Sequence, residues 1–116
     1  MTPFGQRLRS LRAERKRTLK DMAAALKVSS AYLSALEHGH RGKPSSGLVQ
    51  QIAAYFNLAW DDVDELKRLA QISDPRVTID TSGLSPAATE LANRLAETIG
   101  ALDEATIAAL RKKLEG

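Results

Sequence analysis

The stretch of sequence that decides the fold is TLKDMAAALKVSSAYLSALEHG, residues 18–39. Its apolar residues recur at helical spacing in two short runs with a polar break between them. This spacing predicts one helix over 19–26 and a second over 30–38, with Gly39 as the stop signal of the second. The residues expected to face the core from these helices are Met22, Ala23, Leu26, Leu33 and Leu36.

Small and polar residues fit a tight turn between the two helices. Thr18 and Ser29 are suited to cap them, because a hydroxyl oxygen accepts hydrogen bonds from the free amides of a helix start. Ala23 is small enough to let the second helix cross the first closely, and Val28 can fill the underside of the turn. The second helix is thus held on one side and carries mostly short side chains on the other.

The helical pattern continues on both sides of this stretch. Further helices are predicted over 3–16, 47–56 and 61–72. Their inward residues are expected to include Phe4, Leu8, Leu11, Leu48, Val49, Ile52, Ala53, Phe56, Val63, Leu66, Leu69 and Ala70. Five short helices of this kind can bury one shared core, so an all-α domain is predicted over residues 1–72.

The rest of the chain changes character. Residues 73–84 are predicted to be a linker in which Val77–Ile79 is a candidate short strand and 81–83 a turn. Residues 85–116 follow as two alanine-rich amphipathic helices, which bury little by themselves and need a surface to pack on. We expect them to form a helical dimerisation segment whose contact residues are Leu84, Leu91, Leu95, Ile99, Leu110 and Leu114.

Charge is unevenly distributed along the 116 residues. Residues 1–43 hold ten lysines and arginines against three acidic residues, a net charge of +7, whereas residues 44–116 hold seven against eleven, a net charge of −4. The basic first third predicts an anionic partner. The chain has no cysteine, which excludes disulfides and thiolate metal sites, and His38 and His40 lack a third ligand.

At this point the sequence resembles the helix-turn-helix of the Cro/CI-type (XRE) repressors. The resemblance rests on Ala23, Val28-Ser29, Tyr32-Leu33-Ser34 and Leu36-Glu37-x-Gly39, and it covers about the first 70 residues. It implies a lambda-repressor-like five-helix DNA-binding domain, here followed by a C-terminal helical hairpin for dimerisation. Two positions depart from the family pattern: Leu19 replaces a glutamine that touches a phosphate, and Lys27 replaces a glycine in the turn.

The resemblance also implies roles for individual residues. Arg12 matches a helix 1 arginine that pairs with the glutamate after the recognition helix, here Glu37. The residues expected to contact bases or phosphates are Thr18, Lys20, Lys27, Ser29, Ser30, Ala31, Tyr32, Ser34, Ala35, Arg41 and Lys43. The base-facing set of Ser30, Ala31 and Ala35 lacks forked hydrogen bonders, so DNA shape and backbone contacts are expected to supply part of the specificity.

The expected function is therefore a transcriptional regulator, a repressor that binds a palindromic operator in double-stranded DNA as a homodimer and controls a phage-like element. Two alternatives stay open: an antitoxin whose tail binds a toxin, and a protein-interaction module that has lost DNA binding. No enzyme activity, cofactor or metal is expected, since no catalytic constellation is recognisable. With no membrane segment or export signal, we expect a cytoplasmic protein that joins the nucleoid through DNA.

Overall fold

The computed structural model describes every residue, Met1–Gly116, and its regular structure is entirely helical. The chain divides into two compact units, which we call the N-terminal unit, Met1–Val77, and the C-terminal unit, Thr78–Gly116. None of the helices has the length and apolar character needed to cross a membrane. The helices of the N-terminal unit are α1 Pro3–Arg15, α2 Leu19–Leu26, α3 Ser30–Glu37, α4 Ser46–Tyr55 and α5 Trp60–Gln71.

Hydroxyl side chains set the starts of the first four helices. In each case the hydroxyl oxygen accepts a hydrogen bond from a first-turn backbone N–H, and the capping residues are Thr2, Thr18, Ser29 and Ser45. Helix α5 has no side-chain cap, but Asp61 and Asp62 lie in its first turn, where the helix dipole favours negative charge. The local sequence therefore explains most of the helix starts.

The helix ends differ from the expected ones by about a residue. Helix α1 stops at Arg15 because Lys16 adopts a left-handed conformation with φ of 53°. Helix α3 stops at Glu37 rather than residue 38, and Gly39 follows with φ of 80°. Glycine adopts that conformation without the steric cost that a Cβ brings, which is why it ends the helix well.

One hydrophobic core joins the five helices. Helix α1 packs against α3 and α5, α2 against α3 and α4, and α4 against α5. The expected inward residues are buried, except that Val63 and Leu69 are half-buried. The fully or almost fully buried side chains are led by Phe4, Leu8, Leu11, Met22, Leu33, Ile52, Phe56 and Leu66.

Contacts distant in sequence hold α1 in place. A Cβ on Gly5 would lie 2.2 Å from the carbonyl oxygen of Glu37, so glycine is needed for the backbone of α1 to approach the end of α3. The buried hydroxyl of Ser73 accepts a hydrogen bond from the N–H of Phe4 at 2.9 Å and donates one to the carbonyl of Leu69 at 2.6 Å. The chain after α5 is thereby fastened to the start of α1.

The C-terminal unit consists of α6, Pro86–Thr98, a 3₁₀ turn, Ile99–Ala101, and α7, Glu104–Leu114. Ser85 and Asp103 cap the two helices, each accepting a hydrogen bond from a first-turn backbone N–H. The turn before α6 is also confirmed, since the N–H of Leu84 bonds to the carbonyl of Thr81. No residue of α6, the 3₁₀ turn or α7 is buried.

The candidate strand at Val77–Ile79 does not form. No strand occurs anywhere in the chain, so a single extended segment has no neighbour with which to share ladder hydrogen bonds. The side chains of Val77 and Ile79 are largely exposed. Three consecutive β-branched residues, Val77–Ile79, are therefore too weak a signal for a strand in this chain.

Candidate nucleic-acid interface

The turn between α2 and α3 is built as the sequence predicts. Lys27 ends α2 in the left-handed region, with φ of 59° and ψ of 42°, and this costs about 1 kcal/mol for a residue with a Cβ. The next amide, of Val28, bonds to the carbonyl of Ala23 at 3.0 Å, and the Val28 side chain packs against the core. Ser29 then caps α3 by accepting from the N–H of Tyr32 at 3.0 Å.

Helix α3 is anchored from below by apolar contacts and by one buried ion pair. Leu33 and Leu36 lie in the core. The carboxylate of Glu37 accepts hydrogen bonds from the guanidinium of Arg12, and the two side chains are only 2% and 12% exposed respectively. The guanidinium of Arg9 lies 3.8 Å from the same carboxylate. The expected Arg12–Glu37 pair is thus confirmed as a shielded link between α1 and α3.

The outer face of α3 carries short side chains. Ser29, Ser30 and Ala31 are exposed, whereas Ser34 and Ala35 are half-buried farther along the helix. This half-buried environment leaves Ser34 and Ala35 less accessible to a partner than the first turn. The first turn of α3 therefore offers the more open part of this face, and its exposed side chains are short.

Tyr32 and Arg41 lie together beside α3. Tyr32 is half-buried, and the guanidinium carbon of Arg41 lies 5.6 Å from the centre of its ring, which is a cation–π contact. Lys43 points elsewhere, since its ammonium donates to the side-chain oxygen of Gln71 at 3.3 Å. The structure therefore brings one of the two expected loop cations to the recognition helix and holds the other against α5.

The start of α2 is already occupied by its own side chains. The hydroxyl of Thr18 accepts from the N–H of Asp21, and the carboxylate of Asp21 accepts from the N–H of Thr18. Hydrogen bonding of this carboxylate to Thr18, first of all to its backbone N–H, holds the pKa of Asp21 below its ordinary value, with a smaller contribution from the charges of Arg17 and Lys20. The cations that remain exposed around this end of α2 are Arg17 and Lys20.

Sequence reasoning missed two cationic contacts. The guanidinium of Arg17 lies 5.7 Å from the ring centre of Tyr55 on α4. Arg9 lies within 3.5 Å of His38, whose other ring nitrogen contacts the carbonyl of Ser34. The only sequence signal for the first was that Arg17 directly precedes the Thr18 cap, and nothing local linked it to a tyrosine 38 residues later.

The expected dimerisation residues all lie in the C-terminal unit. Leu84, Leu91, Ile99, Leu110 and Leu114 are exposed there, and Leu95 is half-buried. The expected contact residues are therefore accessible or partly accessible to a partner in this unit.

Fold and surface together define the class of protein. A tight turn joins two short helices over a shared five-helix core, the second helix presents a short-sided face, and basic residues border it. This is the arrangement of a helix-turn-helix nucleic-acid-binding domain.

Comparison with known proteins agrees with this class. A family model described as helix-turn-helix domain matches residues 3–66, more than half of the chain. The chain therefore belongs to the helix-turn-helix domain family. The XRE-like resemblance and the lambda-repressor-like all-α fold are confirmed with it.

Three curated relatives each match a little over half of this chain. The uncharacterized HTH-type transcriptional regulator RghRB of Bacillus subtilis (strain 168) is 38% identical over 63 residues, which are 54% of this chain and 45% of the relative. The HTH-type transcriptional repressor RghR of the same organism is 36% identical over 61 residues, 53% and 45% of the two chains. The HTH-type transcriptional regulator DdrOP3 of Deinococcus deserti is 43% identical over 60 residues, 52% and 46%. The matched part thus spans less than half the length of these relatives, and no solved structure matches the chain.

Proposed function

We propose that this protein is a sequence-specific regulator of transcription that binds double-stranded DNA with α3 in the major groove. The observation that carries the proposal is the anchored α3. Leu33, Leu36 and the shielded carboxylate of Glu37 hold one side of it, and Ser30 and Ala31 stand open on the other. The relatives that are named transcriptional regulators support the same class.

Backbone contacts supply the affinity in this proposal. Residues 1–43 carry a net charge of +7, which suits a surface that displaces counterions from phosphates. Lys20 and Lys27 are exposed on and after α2, and Arg41 is exposed after α3. Such contacts fix the register of the protein on the duplex, whereas sequence is read at the base edges.

Base reading falls to the first turn of α3. Ser30 can donate or accept one hydrogen bond, and Ala31 can contact a thymine methyl group. Neither forms the forked contacts that arginine or glutamine makes with a purine. Sequence-dependent shape of the duplex therefore carries a larger share of the discrimination, together with Tyr32 and the loop arginine.

We propose further that the protein acts as a homodimer joined through the C-terminal unit. Two helices without a buried residue gain stability by covering their apolar faces with another surface. The start of α7 is acidic, with the cap Asp103 and Glu104, and its last turn is basic, with Arg111, Lys112 and Lys113. An antiparallel two-fold pairing places opposite charges beside each other twice, which favours a second copy as the covering surface.

A dimer of this kind reads two half-sites. Two copies of α3 related by a two-fold axis match an inverted repeat with half-site centres about 34–36 Å apart. We propose that binding of the dimer represses the regulated gene and that this gene belongs to a phage-like element. A second candidate is an antitoxin, favoured by the same exposed apolar helices, which would then cover a toxin rather than a second copy.

Genome-wide mapping of the DNA bound by the full chain tests the proposal. We expect a small number of strong sites that share an inverted repeat. The variant Ala31→Asp serves as the loss-of-binding control. It places a carboxylate on the exposed face of α3 without changing the core, and it should abolish enrichment. Absence of enriched sites while the wild-type protein is expressed would contradict the proposed function, and co-purification with a toxin-like protein encoded next to it would favour the second candidate.

A further inference from the structure

The chain contains two tyrosines, and each lies beneath an arginine. The guanidinium carbon of Arg41 is 5.6 Å from the ring centre of Tyr32, and that of Arg17 is 5.7 Å from the ring centre of Tyr55. Both tyrosines are half-buried and pack against the core, so their rings are fixed in direction. The two contacts therefore hold two cations at defined places on the surface.

These places are the two ends of the helix-turn-helix. Arg17 is the residue directly before the Thr18 cap of α2, and Arg41 lies four residues after Glu37, the last residue of α3. The aromatic supports come from different elements, Tyr32 from α3 itself and Tyr55 from the end of α4. Along the chain, one supported arginine thus lies at each end of the helix-turn-helix.

Both guanidinium groups are open to a further partner. Five other arginines pair with carboxylates in the structure, namely Arg7, Arg9, Arg12, Arg68 and Arg94. Arg17 and Arg41 form no such pair and are exposed. Asp21 is near enough for Arg17 to influence it, but its carboxylate accepts the N–H of Thr18 and lies in no ion pair with Arg17.

The cation–π contact leaves N–H donors of each guanidinium available. A guanidinium carries five N–H donors, and a phosphate can accept two of them at once. Contact with the ring also restricts the long arginine side chain before binding, so less conformational freedom is lost when it meets the DNA. Each tyrosine therefore raises the affinity through its arginine, and this effect requires no DNA contact of the tyrosine itself.

We infer that Arg17 is a DNA-phosphate contact and that Tyr55 and Tyr32 are positioning residues for Arg17 and Arg41. The inference rests on the proposed function, in which Arg41 is already one of the cations that contact the DNA backbone. It adds a cation at the start of α2, where Leu19 offers no polar group and where the hydroxyl of Thr18 is occupied by its own helix.

The test measures binding of the full chain to a mixed-sequence duplex of about three helical turns, or about 30 base pairs, over a range of salt concentrations. We expect Arg17→Gln to weaken binding and to reduce the slope of log K against log salt by about 0.9 per bound subunit, the value for one lost phosphate contact, and so by about twice that for a bound dimer. Lys67→Ala removes an exposed cation on α5 and is the matched control, expected to leave the slope unchanged.

A double-mutant cycle separates positioning from folding. Tyr55→Leu should weaken binding about 2–5-fold in the wild-type background, the range of an exposed cation–π contact, and Tyr55→Phe should restore it. In the Arg17→Gln background Tyr55→Leu should have no further effect, because Tyr55 acts only through Arg17. Thermal unfolding of each variant shows that the compared chains are folded.

The outcomes distinguish this inference from the function on which it rests. Failure of the wild-type chain to bind duplex DNA at any salt concentration would overturn the proposed function and the inference with it. Salt-dependent binding by the wild type together with an unchanged slope for Arg17→Gln would overturn the inference alone. Equal effects of Tyr55→Leu with and without Arg17 would likewise overturn the positioning role.

Discussion

The two units of this chain begin their helices in the same way and differ in what those helices bury. Thr18 caps α2 and Ser85 caps α6 by the same hydroxyl-to-amide hydrogen bond. Yet α1 to α5 share one core, whereas α6 and α7 contain no buried residue. Capping and periodicity therefore decide that a segment is helical. Whether a unit is stable without a partner depends on whether its own helices bury apolar side chains against one another.

The largest difference between the units should appear when the same substitution is made in each. Leu33→Ala removes a fully buried side chain of the N-terminal unit and should lower the free energy of unfolding by about 2–5 kcal/mol. Leu91→Ala removes a side chain that is 60% exposed and should change unfolding little in dilute protein. Urea unfolding of both variants measures the contrast.

Protein concentration sharpens this comparison. If the C-terminal unit pairs with a second copy, the effect of Leu91→Ala should grow as concentration rises, because only the associated state loses the contact. The effect of Leu33→Ala should not change. A concentration-independent loss of several kcal/mol for Leu91→Ala would show that this unit has a core of its own.

The sequence predicted what depends on local pattern. Spacing of Leu8 and Leu11, or of Val49 and Ile52, is enough to name an inward face, and these residues are buried. The Thr18 and Ser29 caps were predictable for the same reason, since each depends on a few neighbours, whereas the special conformation of Lys27 was indicated by the family resemblance, in which a glycine occupies that position.

Contacts between residues far apart in the chain could not be predicted in this way. The hydroxyl of Ser73 accepts a hydrogen bond from the N–H of Phe4, which lies 69 residues earlier in the chain. No local feature of either residue indicates the other. From the sequence alone, Gly5 is a residue that weakens α1. The structure shows that glycine is needed there because the carbonyl of Glu37 lies too close for a Cβ. Arg17 was visible only as one of several cations, because its ring partner comes from another helix.

Ion pairs give the second largest contrast between the units. Arg12→Ala removes the main partner of the buried Glu37 carboxylate and should cost about 2–3 kcal/mol, below the usual range for a broken buried pair because Arg9 stays nearby. Arg94→Ala breaks the exposed pair with Glu90 in α6 and should cost well under about 1 kcal/mol. Similar losses in thermal unfolding of the two variants would contradict the shielding of the Arg12–Glu37 pair.

The smallest contrast concerns pH. Hydrogen bonds from Thr18 lower the pKa of Asp21 in α2, and those from Thr106 lower the pKa of Asp103 at the start of α7. A lowered folded-state pKa contributes stability that is present above the ordinary value of 3.8 and is lost as pH falls through the folded value. Asp21→Asn should therefore destabilise the chain slightly at pH 7, with the difference shrinking below pH 3.8.

The matched variant in the other unit is Asp103→Asn. It should reduce the helicity of α7 and leave the cooperative unfolding of the N-terminal unit unchanged. Circular dichroism at pH 7 measures the helicity from the spectrum and the unfolding from a thermal scan. A difference between wild type and Asp21→Asn that stays constant down to the most acidic pH would contradict the role of the ionised carboxylate.

The central claim is that the first turn of α3 reads the bases. The most direct test compares the duplex sequences that the wild type and Ser30→Gln select from a random pool. We expect Ser30→Gln to gain a preference for adenine at one position of each half-site, because glutamine makes a forked contact with that base. Leu91→Ala should leave the preferred bases unchanged. Identical base preferences for the wild type and Ser30→Gln, with both proteins folded and bound, would contradict the assignment of α3 as the recognition helix.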